Sequence, residues 1–203
     1  MLEVLRSGCR VDSVMVDGSA LPYEENLKWT AAMAAHAHAA GVAVEAELGK
    51  LSGEEDGLSV PEKEAKMTDP AVVARFVRET GVDMLAVTIG NVHGSYCRPP
   101  ELDFPRLEEI RRQVPVDFPL VLHGASGLPP ALIAGAVQRG VCKFNVNTDL
   151  RGAALAVLEN AFARETKKKQ QRPDILPLME QTTAAMEIVA GEKIGLFKGG
   201  SGR

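Results

Sequence analysis

The sequence repeats one pattern five times: a short run rich in Val, Ile and Leu ends in polar residues or glycine, and a segment with helical periodicity follows. The runs show little alternation with polar residues, which is typical of strands covered on both faces. Strand–helix units in series predict an α/β fold with a parallel sheet and right-handed crossover helices. The predicted strands lie at residues 14–16, 42–48, 84–89, 119–122 and 143–146.

Capping signals delimit the helices between these strands. Asp69 precedes a proline and Asp103 precedes an amphipathic segment, so both aspartates are predicted N-caps. The predicted helices cover residues 23–40, 70–80, 104–114, 129–139, 147–166 and 178–197, and the predicted loop and linker cover 49–60 and 167–173. This organisation predicts one domain over residues 1–198, followed by a flexible tail at 199–203.

Composition and charge argue against several classes of protein. The 203 residues are 45% apolar and 25% charged with a net charge of −4, which favours a globular domain and disfavours nucleic acid or an anionic membrane as the main partner. No apolar run approaches the roughly 20 residues that span a bilayer. The three cysteines are scattered, which indicates reduced thiols, and we therefore expect a cytoplasmic or organelle-matrix protein.

Polar residues stand where the predicted strands end. The carboxyl edge of a parallel sheet is where α/β proteins carry out their chemistry. The sequence therefore predicts a functional site at this edge. Its candidate residues, in chain order, are Asp17, Glu47, His93, His123, Asn145 and Asn147.

Two of these residues, His93 and His123, each stand directly before a glycine. Neighbouring strands lie about 5 Å apart, so both imidazoles can reach one divalent metal ion, although hydrogen-bonded turn histidines would show the same pattern. His36 and His38 lie two residues apart on a helix and point about 200° apart, so they cannot share a metal. A third ligand is therefore either a carboxylate or lies outside this chain.

Carboxylates are the other candidates at this edge. Glu45 and Glu47 share one face of their strand, and we interpret Glu47, nearer the strand end, as functional, with a salt bridge as the alternative. Asp17 opens an Asp-Gly-Ser turn, so a turn role and a metal-ligand role both remain open. The acid-rich segment 52–57 is either a solvated loop or a lid that carries a catalytic base.

Two segments of small residues predict an anion site. They are GASG at 124–127 and NVNT at 145–148, and they follow the fourth and fifth strands. Small residues bare backbone N–H groups, hydroxyls add donors, and a helix N-terminus adds its dipole. In eight-stranded α/β barrels, the loops after the last two strands often bind phosphate. GASG does not match the GxSxG nucleophile turn, which argues against a serine hydrolase.

The sequence resembles the class II fructose-bisphosphate and tagatose-bisphosphate aldolases in five motifs of the same order and spacing: SVMVDGSALPYEEN, VEAELGKLSGEEDG, IGNVHGSY, LVLHGASG and KFNVNTDL. The resemblance covers about residues 14–197. It implies part of a TIM (β/α)8 barrel, about five βα units that correspond to strands 4–8, plus a C-terminal helix. It also implies a zinc-dependent lyase that reversibly cleaves a ketose bisphosphate to dihydroxyacetone phosphate and glyceraldehyde 3-phosphate.

The resemblance assigns roles to individual residues. His93 and His123 match zinc ligands, Glu47 a carboxylate near the metal, Asp17 an acid at a second metal position, and Glu55 a loop acid that moves protons. The site for dihydroxyacetone phosphate is matched by Gly94, Gly124, Ala125, Ser126, Asn145, Val146, Asn147 and Thr148. The implied cofactors are zinc and a monovalent cation near the phosphate, the implied ligand is a sugar phosphate, and the full-length relatives are homo-oligomers.

Two features depart from the family pattern. Ala125 stands where the family has a second glycine, which a negative φ tolerates. No segment matches the family's His-x-Asp-His motif, which supplies a further zinc histidine and the acid–base aspartate. We therefore expect an N-terminally truncated barrel, with roughly 80–100 residues missing, and little aldolase activity from residues 1–203 alone. The alternative is a non-catalytic, aldolase-derived module of a larger or fusion protein, which a His-x-Asp-His motif encoded upstream would argue against.

Overall fold

The structure is a computed structural model. It describes residues 1–51, 66–94, 96, 98–163 and 174–198 with their side chains, and the backbone of 53–55, 58–60 and 164–167. Cys97, most of the predicted linker and the predicted tail at 199–203 lie outside the described residues.

Five parallel strands form the main sheet, as the sequence pattern predicts. The strands of the described residues are β1 (Ser13–Val16), β2 (Ala43–Leu48), β3 (Gly53–Glu55), β4 (Leu58–Val60), β5 (Met84–Val87), β6 (Leu120–Leu122) and β7 (Val141–Phe144). The order in the main sheet is β1-β2-β5-β6-β7, and every neighbouring pair is parallel. Consecutive strands of this sheet are therefore neighbours, which is the arrangement that repeated right-handed crossovers produce.

The prediction of a loop over residues 49–60 is wrong. Strands β3 and β4 pair antiparallel there, with Gly53 opposite Val60 and Glu55 opposite Leu58. The sequence between them is Asp-Gly, one of the strongest two-residue hairpin signals, and it precedes the β-favouring run Leu-Ser-Val. The acidic residues of this segment favour a solvated loop by composition, but the Asp-Gly turn signal and the run that follows it favour a hairpin.

The helices connect the strands of the main sheet and end the chain. They are α1 (Leu2–Arg6), α2 (Tyr23–Ala39), α3 (Pro70–Thr80), α4 (Phe104–Arg112), α5 (Pro130–Gln138), α6 (Thr148–Lys167) and α7 (Ile175–Phe197). Asp69 and Asp103 cap α3 and α4 through their side chains, as predicted. Helix α7 begins three residues before the predicted start because Asp174 accepts a hydrogen bond from the Leu176 N–H. None of the described helices is long and apolar enough to cross a membrane.

The two faces of the sheet differ in chemistry. One face is packed into an aliphatic core that includes Val44, Leu85 and Leu120. The opposite face carries Glu45 and Glu47 of β2 together with side chains of β5, β6 and β7, namely Ala86, Val121 and Lys143. Across this second face, Glu47 pairs in register with Ala86, Ala86 with Val121, and Val121 with Lys143. The polar face is therefore the one on which the predicted site residues project.

A β-bulge in β7 sets the position of Lys143. Leu120 pairs with Val141 and Val121 pairs with Lys143, so Cys142 is one extra residue in β7. Simple alternation along the strand would place Lys143 on the same side as Val141, against the core. The bulge instead aligns Lys143 with Val121 on the polar face.

The sheet is strongly curved with the polar face on its concave side. Lys143 Nζ on β7 lies 2.9 Å from Glu45 Oε2 on β2, although β5 and β6 stand between these strands. In a flat sheet, strands three positions apart would be separated by about 14 Å. The contact across the small residues Ala86 and Val121 therefore requires curvature, as in the wall of a barrel.

Asp83 joins the start of β5 to β2 and to α2. Its Oδ2 accepts a hydrogen bond of 2.7 Å from the buried Val44 N–H and lies 2.8 Å from His38 Nε2. Partial burial acts to raise the pKa of the Asp83 carboxyl, but the hydrogen bonds from His38 and Val44 outweigh it and lower the pKa. His38 thus has a structural role, and His36 is exposed on the same helix.

We expect Asp83→Ala to lower the free energy of unfolding by about 1–2 kcal/mol at pH 7, because it leaves the Val44 N–H without its partner. The native pKa of Asp83 is depressed, so its stabilising effect is present above the unfolded-state pKa of about 4 and disappears as the pH falls through the native value. Urea denaturation at pH 7 and pH 3 measures this difference. Asp12→Ala, at an exposed acid before β1, is the control, and equal losses in both variants would contradict the assignment.

Candidate active site

Three potential ligands meet at the concave face of the sheet. Glu47 lies near the end of β2, His93 in the loop after β5, and His123 directly after β6. One ligand atom from each of these side chains lies within 4.8 Å of the others, and the two imidazole centroids are 6.1 Å apart. Glu47 and His123 are each only 3% exposed, and His93 is partly exposed. The structure therefore brings together both histidines that the sequence nominated and one carboxylate.

Backbone geometry at Gly124 brings the two histidine loops together. Gly124 has a φ of 63°, and a Cβ at this position would lie 2.0 Å from the Val92 carbonyl oxygen. The loop that carries His93 therefore passes directly against the residue that follows His123. Only glycine fits both the left-handed conformation and this close approach.

Asn91 is a buried polar tie between the same two loops. Its Nδ2 donates to the His123 carbonyl at 3.1 Å, and its Oδ1 accepts from the Ile89 N–H at 2.8 Å. Tyr96 adds a second tie, since its hydroxyl donates to the Gly124 carbonyl at 2.9 Å. These contacts fix the backbone on either side of the candidate ligands.

Two buried carboxylates flank the ring of His123. Its Nδ1 lies 3.1 Å from Glu47 Oε2, and its Nε2 lies 2.8 Å from Glu45 Oε1. Burial acts to lower the pKa of the His123 imidazole, but the hydrogen bonds to Glu45 and Glu47 outweigh it and raise the pKa to about 9. In this arrangement, the two carboxylates favour the protonated form of the His123 imidazole that lies between them.

The pKa values of the two glutamates are shifted in opposite directions. Burial raises the pKa of the Glu47 carboxyl, the hydrogen bond with His123 offsets this only in part, and the charge of Asp17 adds to the rise. Burial also acts to raise the pKa of Glu45, but the hydrogen bonds from His123 and Lys143 outweigh it and lower the pKa. The lowered pKa favours the charged form of Glu45, and the raised pKa favours the protonated form of Glu47.

The donor set fits a divalent metal ion. One carboxylate oxygen and two imidazole nitrogens are ligand types that zinc accepts, and three protein ligands with an open position are typical of catalytic zinc. The three side chains that could hold the ion are Glu47, His93 and His123. The pairing of His123 with two carboxylates shows that this pocket attracts a positive charge.

Two other predicted site acids are placed differently. Asp17 is exposed, and its Oδ1 accepts a hydrogen bond of 2.9 Å from the Ser19 N–H, which is the turn role that the sequence allowed. Asp17 is not a member of the three-residue group, although its charge acts on Glu47. Glu55 lies in β3, and its side chain is outside those that the structure describes.

A cavity of about 430 Å³ lies beside the ligand group. Its lining contains three of the predicted phosphate residues, and the full set is Gly94, Tyr96, Arg98, Pro99, Pro100, Ser126, Gly127, Thr148 and Asp149. The remaining predicted phosphate residues, Gly124, Ala125, Asn145, Val146 and Asn147, do not line it. Ala125 is fully buried and donates its N–H to the Asn145 carbonyl, so these two residues support the cavity wall.

The cavity presents donors for an anion together with one carboxylate. Helix α6 begins at Thr148, and its N-terminus opens onto the cavity. Ser126 Oγ accepts a hydrogen bond from the Asp149 N–H, so its own O–H remains a donor. Asp149 Oδ2 accepts from the Gly127 N–H at 3.1 Å and pairs with Lys193 of α7. A helix N-terminus with nearby hydroxyls is a suitable phosphate site.

Sequence reasoning missed several residues of this site. Glu45 ranked below Glu47, and Lys143, Asn91, Tyr96 and Asp149 received no role. A lysine within an apolar strand run was the one available signal, because such a charge needs a buried partner. The other contacts depend on which loops approach each other, which the sequence does not state.

We expect Gly124→Ala to destabilise the protein by more than the roughly 1–2 kcal/mol that a left-handed alanine costs, because its Cβ would also overlap the Val92 carbonyl. Gly81→Ala is the matched control, since Gly81 has a φ of 68° with nothing within 4 Å of the added Cβ. Urea denaturation of both variants measures the difference. Equal destabilisation would show that the approach of the two loops is not a constraint.

A curved parallel sheet with a candidate metal-ligand group and a cavity at its carboxyl edge is the arrangement that is typical of α/β-barrel enzymes. The family model for fructose-bisphosphate aldolase class II matches residues 1–201. The chain therefore belongs to the class II fructose-bisphosphate aldolase family, whose members are lyases. This confirms the resemblance seen in the five motifs.

Solved structures agree with the family. A putative fructose-1,6-biphosphate aldolase from Coccidioides immitis matches with a TM-score of 0.85 and 33% identity, covering 98% of this chain and 67% of that one. The YdjI aldolase from Escherichia coli K12 matches with a TM-score of 0.71 and 35% identity, covering 93% and 60%. Fructose-bisphosphate aldolase from Campylobacter jejuni matches with a TM-score of 0.72 and 26% identity, covering 92% and 60%. The chain thus spans about three fifths to two thirds of these relatives, as part of their barrel-type fold.

Proposed function

We propose that this chain carries the metal site and the sugar-phosphate site of a zinc-dependent class II aldolase. The reaction is the reversible cleavage of fructose 1,6-bisphosphate or tagatose bisphosphate to dihydroxyacetone phosphate and glyceraldehyde 3-phosphate. The observation that carries the proposal is the meeting of Glu47, His93 and His123 within 4.8 Å, next to a cavity lined by Ser126 and Thr148. The family match supports the reaction class.

The chain's own residues bind and orient the substrate in this proposal. A divalent ion held by Glu47, His93 and His123 would supply Lewis-acid polarisation of the substrate's ketone oxygen. The Ser126 hydroxyl and the N-terminus of α6 at Thr148 bind the phosphate. Anchoring the phosphate uses remote binding energy to position the ketone at the ligand group.

Proton transfers at two carbons divide the reaction. In the cleavage direction, the C4 hydroxyl loses its proton, the C3–C4 bond breaks to release glyceraldehyde 3-phosphate, and C3 gains a proton to give dihydroxyacetone phosphate. We assign the proton at C3 to the Glu55 carboxyl, which matches the family's loop acid. The C4 group has no counterpart here, since histidines occur only at 36, 38, 93 and 123 and none lies in a His-x-Asp-His motif.

We therefore propose that residues 1–203 alone bind dihydroxyacetone phosphate and exchange its hydroxymethyl proton without completing cleavage. The same missing motif favours a second candidate function, a non-catalytic module that binds a sugar phosphate. Proton exchange distinguishes the two, because only the enzyme-derived half-reaction requires it. The expected homo-oligomer and the cytoplasmic or organelle-matrix location stay predictions.

We expect the chain to bind one zinc ion, and His93→Ala or His123→Ala to weaken binding by at least about 100-fold, because each removes a ligand. Isothermal titration against a competing chelator measures the affinity. His36→Ala, at an exposed histidine on α2, should leave it unchanged. Zinc binding that ignores both His93 and His123 would refute the site.

We expect the zinc-loaded chain to exchange a hydroxymethyl hydrogen of dihydroxyacetone phosphate with deuterium oxide, as followed by proton NMR. Glu55→Gln should slow exchange by about 100-fold or more, since it removes the proposed base, while binding persists. Glu54→Gln, at the neighbouring acid, is the matched control. Binding of zinc and dihydroxyacetone phosphate without any exchange would favour the non-catalytic module.

We expect Ser126→Ala to weaken binding of dihydroxyacetone phosphate by about 10-fold, because it removes one hydrogen bond to a charged group. Zinc affinity should not change, since Ser126 is not a member of the ligand group. Titration of the phosphate ester into the zinc-loaded protein measures the effect. If Ser126→Ala leaves this affinity intact, the phosphate does not occupy the cavity.

A further inference from the structure

Glu45 is a buried acid at the centre of a hydrogen-bonded chain that the proposed reaction does not use directly. Its Oε1 lies 2.8 Å from His123 Nε2, and its Oε2 lies 2.9 Å from Lys143 Nζ. The Lys143 ammonium also donates to Asn145 Oδ1 at 2.6 Å. The side chain of Glu45 is 5% exposed, so these two contacts replace almost all of its hydration.

The position of Glu45 in the sheet makes this arrangement costly. Its neighbours in register are Met15 on β1 and Met84 on β5, neither of which offers a hydrogen bond or a charge. A buried carboxylate loses several kcal/mol of solvation, and an ion pair seldom returns more than that. A well-packed apolar side chain would serve the core equally well, so stability alone does not account for an acid at residue 45.

The contact between Glu45 and His123 has a consequence for the ring nitrogens. A neutral imidazole carries one N–H and one lone pair, and the group bonded to one nitrogen decides which nitrogen is free. If a metal ion took the place of the proton between Nδ1 and Glu47, Glu45 would accept the remaining Nε2–H, and the lone pair on Nδ1 would face the metal. Nδ1 is the nitrogen that faces Glu47, 3.1 Å away in the candidate ligand group.

We propose that Glu45, held in place by Lys143, is a positioning residue that fixes His123 with Nδ1 as its metal-binding atom. The inference rests on the proposed function, because it requires that His123 bind a metal. A carboxylate that accepts the distal N–H of a metal-bound histidine orients the ring and strengthens its metal bond. Lys143 contacts the second oxygen of this carboxylate and so fixes the orientation of the Glu45 side chain.

The β-bulge at Cys142 supports this assignment. Without the extra residue, Val121 would pair with Cys142, and Lys143 would pair with Leu122 on the core face. The bulge brings the Lys143 ammonium to the concave side, where Glu45 is the acid within reach. Bulges next to functional sites commonly re-aim a side chain in this way.

Zinc affinity of the full 203-residue chain is the first test. We expect Glu45→Gln to lower it by about 10–100-fold, because the ring loses its anionic partner. We expect Lys143→Met to lower it in the same direction, and Lys143→Arg to retain most of it. Glu108→Gln, at an exposed acid paired with Arg139, is the matched control and should match the wild type. Since Lys143 is 42% exposed, its variants test the proposal even if Glu45→Gln does not fold.

The second test separates positioning from a structural role. In the zinc-loaded wild type, long-range nitrogen–proton NMR should show the His123 proton on Nε2, and in Glu45→Gln a fraction of molecules should carry it on Nδ1. A merely structural residue would change stability without moving the proton. If the wild type binds zinc and neither variant changes affinity or proton position, the positioning role is wrong and the metal site stands. If the wild type binds no zinc, the proposed function and this inference both fail.

Discussion

The concave face of the sheet buries two carboxylates on one strand, and the rest of the site depends on how their charge is balanced. Glu45 and Glu47 have no cation on their own strand. The balancing groups come from later strands, His123 after β6 and Lys143 on β7. His123 and Lys143 lie on other strands and can contact the carboxylates of β2 only if the sheet is curved. The charge balance of the two glutamates therefore depends on the curvature of the sheet. The candidate ligand group and the cavity lie at the carboxyl edge of this curved sheet.

The same balance explains why the pocket suits a cation. A protonated imidazole between two acids, and a divalent ion between an acid and two imidazoles, would each place positive charge beside Glu47. The local charge is therefore arranged before any ligand arrives, which is the sense in which active sites are preorganised. Asn91 and Gly124 contribute to the same end without charge, since they hold the two histidine loops at a fixed separation.

The fold could be predicted from the sequence wherever local chemistry decides the structure. The five apolar runs, the caps at Asp69 and Asp103 and the edge that carries His93 and His123 all follow from short-range rules. The same rules could have predicted the hairpin after β2 from its Asp-Gly pair, but its acidic composition favoured a loop. The role of Lys143 could not be predicted from those rules. Alternation along β7 places its side chain on the core face, whereas the bulge moves it to the polar face, and the bulge is visible only in the pairing with β6.

A carboxylate of the protein itself lies at the wall of the cavity. Asp149 already occupies the Gly127 N–H, so the protein supplies an internal competitor tethered at high effective concentration. A phosphate bound here, as proposed, would compete with this carboxylate for the Gly127 N–H, and the competition would lower its net affinity. Asp149 also pairs with Lys193, so the carboxylate at the cavity wall joins this wall to α7.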